Sequence, residues 1–559
     1  MFELLFLSTL ITIYFYLAGC VFEKKIILNF SFFCETSLNG LITLSFLALT
    51  LNFFTPLSKN INTIVFVLII FFSLWKHKIN LLSKYLCFKI IVISILIFLL
   101  VFLSNSNRPD SGLYHYPYIN ILNEEKIIFG LSNLHSRFGH ISIIQYTSAI
   151  LNNYFFQNNG MVFPAASIAA IVFVYLISEV FNWSKKSKKI NFYILFILLS
   201  TIFISYRMNR YSEYGNDYSA HFLMIYLCSI ILKFKKLISF NTIYKYSIFI
   251  FLNKIIIINV FFLCILIFIK KIRKQINFKT FFLTFFLILW FVKNLVISGC
   301  LIYPMKSTCI KELRWTNISS NAEYSVENAS IVIESWAKGW PDQKGEKLDY
   351  YNFNKNFNWV ETWANNHLKK IIFTQSIFIS ISFFLFLFFY FSCNNKFIKS
   401  NTKINIDSYE YIIFFTSLAG IVLWFWVAPV YRFAISNILI ANIFILIFLF
   451  KNFLIIKTRS FSKKIKIVAT ICIFIFVAKN LTKMKDYNIK YNNYPWPKFY
   501  SFNDENYEIN PTPIFQKNEI IYYVSKDLCM YSKPLCTTEI YNKKITLDKK
   551  NTYKFYLIN

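Results

Sequence analysis

The sequence predicts an all-α polytopic membrane protein of about 12 to 14 spans, with extracytoplasmic loops and a small extracytoplasmic C-terminal domain. Of the 559 residues, 56% are apolar, 20% are aromatic and only 15% are charged. Apolar runs of about 16 to 20 residues recur along the whole chain, and runs of this length cross a lipid bilayer. The net charge of +32 does not indicate nucleic acid here, because the basic residues lie in short clusters between the apolar runs.

The basic clusters set the predicted topology, since short cytoplasmic loops of membrane proteins are enriched in Lys and Arg. The first apolar run has no basic start and no small-residue cleavage site, so we predict a retained span rather than a signal peptide. A membrane domain is predicted over residues 1–480 and a C-terminal domain over 481–559. The predicted spans lie near residues 2–21, 36–53, 62–75, 87–104, 161–182, 192–206, 219–234, 246–269 (a pair), 279–298, 371–393, 408–427, 433–450 and 465–480.

Two long polar segments interrupt the apolar runs on the predicted outer side, at residues 105–160 and 299–370. The first contains two short amphipathic stripes, one following Pro117 and one over 141–156. If 141–156 crossed the membrane, the lysine cluster at 185–189 would lie outside. We therefore predict two helices lying on the membrane surface.

The apolar stretch 246–269 is flanked by basic clusters at both ends, which one crossing cannot place on the same side. Two short helices that turn at Asn253 and Lys254 would place both basic clusters on the cytoplasmic side. A lysine at that depth is a functional candidate, because ionisable groups inside a membrane are costly. The alternative is that one cluster lies outside.

Asp110 and Arg432 are the most informative polar residues at predicted outer boundaries. A partly desolvated carboxylate at Asp110 suits a general base for a hydroxyl acceptor, although Pro109-Asp110-Ser111-Gly112 also favours an ordinary turn. Arg432 offers a guanidinium fork that matches phosphate, although an arginine there also reaches lipid headgroups. Together with Lys254, these residues suit a lipid-linked phosphate and an acceptor beside it.

The order of these features resembles the GT-C superfamily of polyprenyl-phosphate-sugar-dependent glycosyltransferases, which includes protein O-mannosyltransferases and aminoarabinose transferases. The similar segments are the acid after an early span, the stretch from Trp290 to Pro304 (WFVKNLVISGCLIYP), and Pro429-Val430-Tyr431-Arg432-Phe433. The resemblance covers roughly residues 87–450. It implies that Asp110 is the loop-one catalytic acid and that Lys254 and Arg432 contact phosphate.

One departure from that family pattern concerns the acid. Many members carry two adjacent acids, whereas Ser111 and Gly112 follow Asp110 here. The second acid is then supplied in space or is not needed. Its candidates are Glu124, Glu125, Glu213 and Asp217.

The remaining polar candidates carry weaker signals. His115 is a candidate for substrate binding, as are Glu213 and Asp217 on the short outer loop before 219–234. The spacing of His115, His135 and His140 matches no standard metal-ligand pattern, so no metal site is predicted. Binding of a divalent ion elsewhere is left open. Two cysteine pairs in outer polar regions, Cys300/Cys309 and Cys529/Cys536, are predicted disulfides, with free thiols the alternative at Cys300.

These features lead to one main hypothesis and two alternatives. The main hypothesis is a glycosyltransferase in a bacterial cytoplasmic (inner) membrane that uses a polyprenyl-phosphate-linked sugar on the extracytoplasmic side. Its partners are membrane lipid and a glycan or lipid acceptor, without cofactor or nucleic acid. The alternatives are an O-antigen-type polymerase or ligase, which relies on outer-loop arginines, and a lipid or solute transporter, for which no repeats are found.

Overall fold

The computed structural model describes most of the chain as a helical bundle with a small strand-containing C-terminal unit. It describes residues 2–23, 27, 29–77, 83–103, 110–185, 190–208, 217–271, 277–318, 325–339, 349–391, 406–450, 458–490, 511–526, 528–531, 535–539 and 545–558. Within these ranges, nine helices are long and apolar enough to cross a membrane, and three shorter ones are also apolar. The predicted class, a helical polytopic membrane protein, is confirmed at this level.

Most of the helices follow the predicted apolar runs, and the others lie in the two long polar segments. They are α1 Phe2–Cys20, α2 Phe30–Asn52, α3 Lys59–His77, α4 Lys84–Leu103, α5 Tyr116–Glu124, α6 Ile143–Leu151, α7 Phe163–Lys185, α8 Phe192–Tyr206, α9 Asp217–Phe234, α10 Phe240–Asn253, α11 Val260–Lys271, α12 Phe278–Ser298, α13 Val326–Ala337, α14 Tyr350–Asn354, α15 Val360–Trp363, α16 Lys369–Phe391, α17 Ser408–Val427, α18 Ile435–Phe450 and α19 Thr458–Lys490.

Helix α12 illustrates why these runs form spanning helices. One face exposes large apolar side chains such as Phe281, Phe285 and Ile288, while the opposite face buries Trp290 and Ile297. A face of this kind would be unfavourable in water and is typical of contact with lipid. Asn277 caps the start of α12 through its side chain, and Gly299 ends the helix in the left-handed conformation.

Helices α10 and α11 form the antiparallel pair that the flanking lysines predict. The side chains of Phe240 and Phe268 lie 5.2 Å apart between ring centroids, and Phe251 and Phe261 lie 5.3 Å apart. Helix α10 ends at Asn253, and Lys254 is extended before a short 3₁₀ turn leads towards α11. With 14 and 12 residues, each helix is shorter than the about 20 residues that a full crossing needs.

The two ends of the bundle differ in their polar groups. At one end α2, α10, α12 and α17 finish and α9 begins, and we call this the loop end because residues 110–162 cover it. At the opposite end, lysines pair with buried or half-buried acids: Lys233 with Glu179 at 2.9 Å, and Lys235 with Asp407 and Glu410 at 2.8 Å each.

The two helices predicted in the first loop are present, but the prediction that they lie on the membrane surface is wrong. Helices α5 and α6 exist, and a proline stands in the first turn of α5, but α6 is buried on every side and α5 on all but its last residue. Other parts of the chain cover them. Helix α6 packs against α2, and Tyr531 of the C-terminal unit donates a hydrogen bond to Asn123 of α5 at 3.1 Å.

The C-terminal unit is a compact pair of small sheets. Strands β1 Thr512–Gln516, β2 Glu519–Val524 and β3 Cys536–Thr537 form one sheet, and β4 Ile545–Lys550 and β5 Tyr553–Ile558 form the other. Strand β5 lies on the first loop, where the backbone N–H of Tyr556 donates a hydrogen bond to the Phe129 carbonyl at 2.9 Å. Helix α19 continues past the boundary predicted at residue 481, as far as Lys490.

Lys293 is an unusual feature of α12 and leads to a testable prediction. Its side chain is fully buried, and its ammonium lies 3.6 Å from the centroid of the Trp290 ring. Among the residues that the structure describes, this ammonium has no hydrogen-bond partner. Burying such a charge is costly, so Lys293→Met is expected to stabilise the protein by about 1–4 kcal/mol.

Thermal unfolding of the purified protein in detergent measures this effect. The matched control is Lys306→Met, because Lys306 is half exposed and pairs with Glu327 at the surface. A melting temperature that falls with Lys293→Met but not with the control would contradict the prediction and would show that the ammonium has a stabilising partner.

Candidate functional site

Three charged side chains from distant parts of the chain meet at the loop end. Asp217 is the first residue of α9, Lys254 follows the end of α10, and Arg432 lies in a 3₁₀ turn between α17 and α18. The Lys254 ammonium lies 2.5 Å from Oδ1 of Asp217, and Nε of Arg432 lies 3.4 Å from Oδ2. We call these three residues the charge cluster.

The charge cluster has a buried anion and two accessible cations. The side chain of Asp217 is 8% exposed, whereas those of Lys254 and Arg432 are 20% and 27% exposed. One carboxylate cannot neutralise two cations, so the cluster carries one net positive charge. The N-terminal end of α9, which is the positive end of its helix dipole, also lies at Asp217. The arrangement therefore suits an additional anion that approaches Lys254 and Arg432.

His221 fixes the backbone of Arg432. It lies one turn after Asp217 on α9, and its Nε2 is 2.7 Å from the carbonyl oxygen of Arg432. A carbonyl only accepts, so Nε2 carries the proton and Nδ1 accepts from the Ser436 hydroxyl at 2.8 Å. The imidazole is therefore neutral and holds the start of α18 against α9.

Asn253 fixes the turn that presents Lys254. Its side-chain oxygen accepts a hydrogen bond from Ser142 at 2.8 Å, and its amide donates to Ser219 at 2.9 Å. Ser142 begins α6 and Ser219 belongs to α9, so the tip of the α10–α11 pair is tied to two neighbouring helices. Lys254 is thus presented from a fixed turn.

Aromatic side chains line one side of the charge cluster. The Phe433 ring lies 3.8 Å from the Lys254 ammonium, and the Trp336 ring lies 5.2 Å from the Arg432 guanidinium. Trp336 of α13 is 38% exposed and leaves an apolar surface beside the cations. Trp363 is buried instead, and its indole N–H donates to the Pro429 carbonyl at 2.7 Å, which holds the segment before Arg432.

Asp110 lies at the start of the first loop and is exposed. Within the described part of the chain it forms no ion pair, and its side chain does not cap the following π-helical turn, Ser111–His115. Tyr114 connects it to the charge cluster. Burial raises the pKa of the Tyr114 hydroxyl, Asp110 and Asp217 raise it further, and Arg137 and Arg432 oppose the shift. The charge of Asp110 and the charges of Asp217 and Arg432 therefore all act on the Tyr114 hydroxyl.

The three histidines of the first loop are buried or half-buried and serve packing contacts. Burial lowers the pKa of His115 to about 3; Asp217 opposes this shift, and nearby cations including Lys254 add to it. His115 is therefore neutral at pH 7, and its Nδ1 lies 2.7 Å from the amide of Gln145 on α6. Burial likewise lowers the pKa of His140 to about 3, and it lowers the pKa of His135.

The other predicted residues are placed as follows. Glu213 and the basic residues at 24–25, 186–189, 273–274 and 396–403 lie outside the described residues. Glu124 is exposed, and Glu125 pairs with Lys554. Disulfides join Cys300 to Cys309 and Cys529 to Cys536. In the described ranges, three or more His, Cys, Asp or Glu side chains nowhere gather in a way that would hold a metal ion.

Comparison with protein families identifies the family of this chain. A family model described as Domain of unknown function (DUF8201) matches residues 1–439. The chain belongs to this DUF8201 family. The matched region contains Asp110, Asp217, Lys254 and Arg432, whereas strands β1 to β5 lie beyond it. No curated protein and no solved structure matches the chain.

Two parts of this DUF8201 site were missed from the sequence. His221 stands near the start of an apolar run, where a histidine usually packs, so no local pattern indicates its bond to Arg432. Trp336 was one of several tryptophans in the second long loop and was not linked to Arg432. Asp217 was predicted as a candidate but without its two cations.

Proposed function

We propose that this DUF8201 protein is a GT-C-type membrane glycosyltransferase, which moves a sugar from a polyprenyl-phosphate donor to a cell-envelope glycan or lipid. The observation that carries the proposal is the meeting of Lys254 and Arg432 on one buried carboxylate at the loop end. Guanidinium and ammonium groups are the donors that phosphate oxygens prefer.

The charge of the cluster fits one phosphate. A sugar linked through a single phosphate carries one negative charge, which balances the net positive charge of Lys254, Arg432 and Asp217. Arg432 approaches Asp217 through Nε, and the two further nitrogen atoms of a guanidinium suit the oxygens of a phosphate. The nearby aromatic rings exclude water and strengthen the attraction.

Asp110 fits the role of general base better than Asp217 does. Lys254 and Arg432 both lie within ion-pair distance of Asp217, so its affinity for a proton is low. Asp110 is exposed and has no ion pair among the described residues. We therefore assign proton acceptance to Asp110 alone and a positioning role to Asp217.

The reaction follows from these assignments. Asp110 accepts the proton of the acceptor hydroxyl, and the hydroxyl oxygen forms a bond to the anomeric carbon of the sugar. The bond between that carbon and the phosphate oxygen breaks, and the electron pair leaves with the polyprenyl phosphate. Lys254 and Arg432 stabilise the charge that develops on the leaving phosphate. No nucleotide takes part, because the lipid phosphate already carries the sugar.

The distribution of cysteines and lysines supports an extracytoplasmic site. Both disulfides lie at the loop end, and disulfides persist in oxidising compartments. The opposite end carries Lys233, Lys235 and Lys245, as short cytoplasmic segments commonly do. We propose a bacterial cytoplasmic (inner) membrane as its location, with about 12 to 14 spans and the C-terminal unit outside.

Asp110→Asn tests the proposal most simply. The variant keeps the size of the side chain but cannot accept the proton, so sugar transfer is expected to fall by about 100-fold or more. The assay follows a labelled sugar from polyprenyl phosphate to envelope material in membranes with equal amounts of protein. Asp548→Asn, the same change on half-exposed β4, is the control and should keep full transfer. Full activity of Asp110→Asn would contradict the assigned mechanism.

A further inference from the structure

The segment around Cys529 in the C-terminal unit makes direct contact with the turn that follows Asp110. The carbonyl oxygen of Gly112 accepts hydrogen bonds from the backbone N–H groups of Cys529, at 3.1 Å, and Met530, at 2.8 Å. A Cβ atom on Gly112 would collide with the sulfur of Met530. The two backbones therefore approach as closely as a glycine allows.

A disulfide connects this contact to the sheet of the C-terminal unit. Cys529 is bonded to Cys536, which lies in β3 and pairs with Tyr523 of β2. The Sγ–Sγ bond therefore attaches the segment of Cys529 and Met530 to the sheet. We call Leu528–Tyr531 with Cys536 the C-terminal clamp.

A second attachment holds the middle of the first loop. Thr537, next to Cys536, donates a hydrogen bond to the Leu134 carbonyl at 2.7 Å. Glu539 accepts hydrogen bonds from the Ser136 hydroxyl at 2.6 Å and from its backbone N–H at 2.8 Å. The first loop is thus fixed at Gly112 and at Leu134–Ser136 by residues on both sides of one disulfide.

We propose that the C-terminal clamp is a positioning element of the site, which holds the Gly112 turn and thereby fixes Asp110 and Tyr114 on either side of it. Asp110 stands two residues before Gly112 and Tyr114 two residues after it. The disulfide is then required for the geometry of the site and not only for stability of the C-terminal unit. An effect of the clamp on sugar transfer rests on the proposed function. Its effect on the stability of the Gly112 turn does not.

Hydrogen exchange on the full-length protein in detergent tests the effect on the Gly112 turn without any substrate. Cys529→Ser/Cys536→Ser is expected to speed amide exchange in peptides covering residues 110–118 by about tenfold or more, because the turn loses its anchor. The matched control is Cys300→Ser/Cys309→Ser, which removes the other disulfide. Equal exchange of these peptides in the wild type and in both variants would overturn the proposal.

A steric double-mutant cycle tests the effect on sugar transfer. Gly112→Ala is expected to lower kcat for sugar transfer by about tenfold and to change KM little, because its new methyl group displaces the turn against Met530. Met530→Ala in the same chain removes the obstructing sulfur and should restore most of kcat. A double variant no better than Gly112→Ala would overturn positioning through this contact. If the wild type transfers no sugar, the proposed function fails, and the exchange experiment still decides the clamp.

Discussion

Removing either cation of the charge cluster is expected to lower kcat for sugar transfer by about 100-fold or more, as loss of one preorganised donor does in other enzymes. Lys254→Met and Arg432→Gln keep much of the side-chain volume and remove the charge. The effect appears in kcat because the charge on the phosphate oxygen grows as its bond to the sugar breaks. Steady-state assays in nanodiscs with a fixed acceptor measure kcat and KM separately.

The double variant Lys254→Met/Arg432→Gln distinguishes a shared site from two separate effects. Both cations contact Asp217, so their effects should not add, and the double variant should lose less than the product of the single losses. Lys306→Met at an exposed ion pair controls for loss of a lysine as such. Unchanged kcat in both single variants would remove the cluster from the reaction.

Asp217→Asn is expected to destabilise the protein by about 3 kcal/mol. The change leaves Lys254 and Arg432 facing each other without the carboxylate, and breaking a buried pair costs about 3–5 kcal/mol. The expected value lies at the low end because both cations are partly exposed and solvent reduces their repulsion. Unfolding of purified protein in detergent, followed by temperature or denaturant, measures the difference.

A second substitution tests the cause of this loss. Lys254→Met in the Asp217→Asn background removes one of the two unpaired cations and should recover part of the stability. Asp548→Asn at the surface pair with Arg314 should change the stability little. An Asp217→Asn variant as stable as the wild type would show that the carboxylate does not hold the two cations together.

Much of the fold was predictable because membrane helices have a simple requirement. Each run must satisfy its own backbone hydrogen bonds in lipid, so long apolar runs such as Phe2–Cys20 and Phe278–Ser298 become helices. The α10–α11 pair was also predictable, since one crossing cannot serve lysines at both ends of 246–269.

The prediction of surface helices failed because periodicity reports only which face of a helix is apolar. It does not report what covers the polar face. Asn123 of α5 meets Tyr531, and Phe129 stacks on Phe555 with ring centroids 4.3 Å apart. These partners lie near the C-terminus, and no local pattern in the first loop indicates them.

The sequence indicates which charged residues belong to the candidate site, but it does not indicate which of them form ion pairs with each other. Lys254 is a candidate because an ionisable group at membrane depth is costly, and Arg432 is one because a guanidinium at an outer membrane boundary suits phosphate. The choice of Asp217 as that partner depends on how α9, α10 and α18 pack, which sequence spacing does not report. His221 shows the same limit, since its role depends on the backbone of Arg432.

Binding of a short-chain polyprenyl phosphate without sugar tests the central claim most directly. Native mass spectrometry in detergent measures it, with the wild type compared with Lys254→Met/Arg432→Gln and with Lys306→Met. The account predicts saturable binding to the wild type and to Lys306→Met, weakened by about 10-fold or more in the double variant, because charged hydrogen bonds contribute about 1.5–3 kcal/mol each. Equal binding by all three proteins, or none by the wild type, would contradict the assignment of the charge cluster to a lipid-linked phosphate.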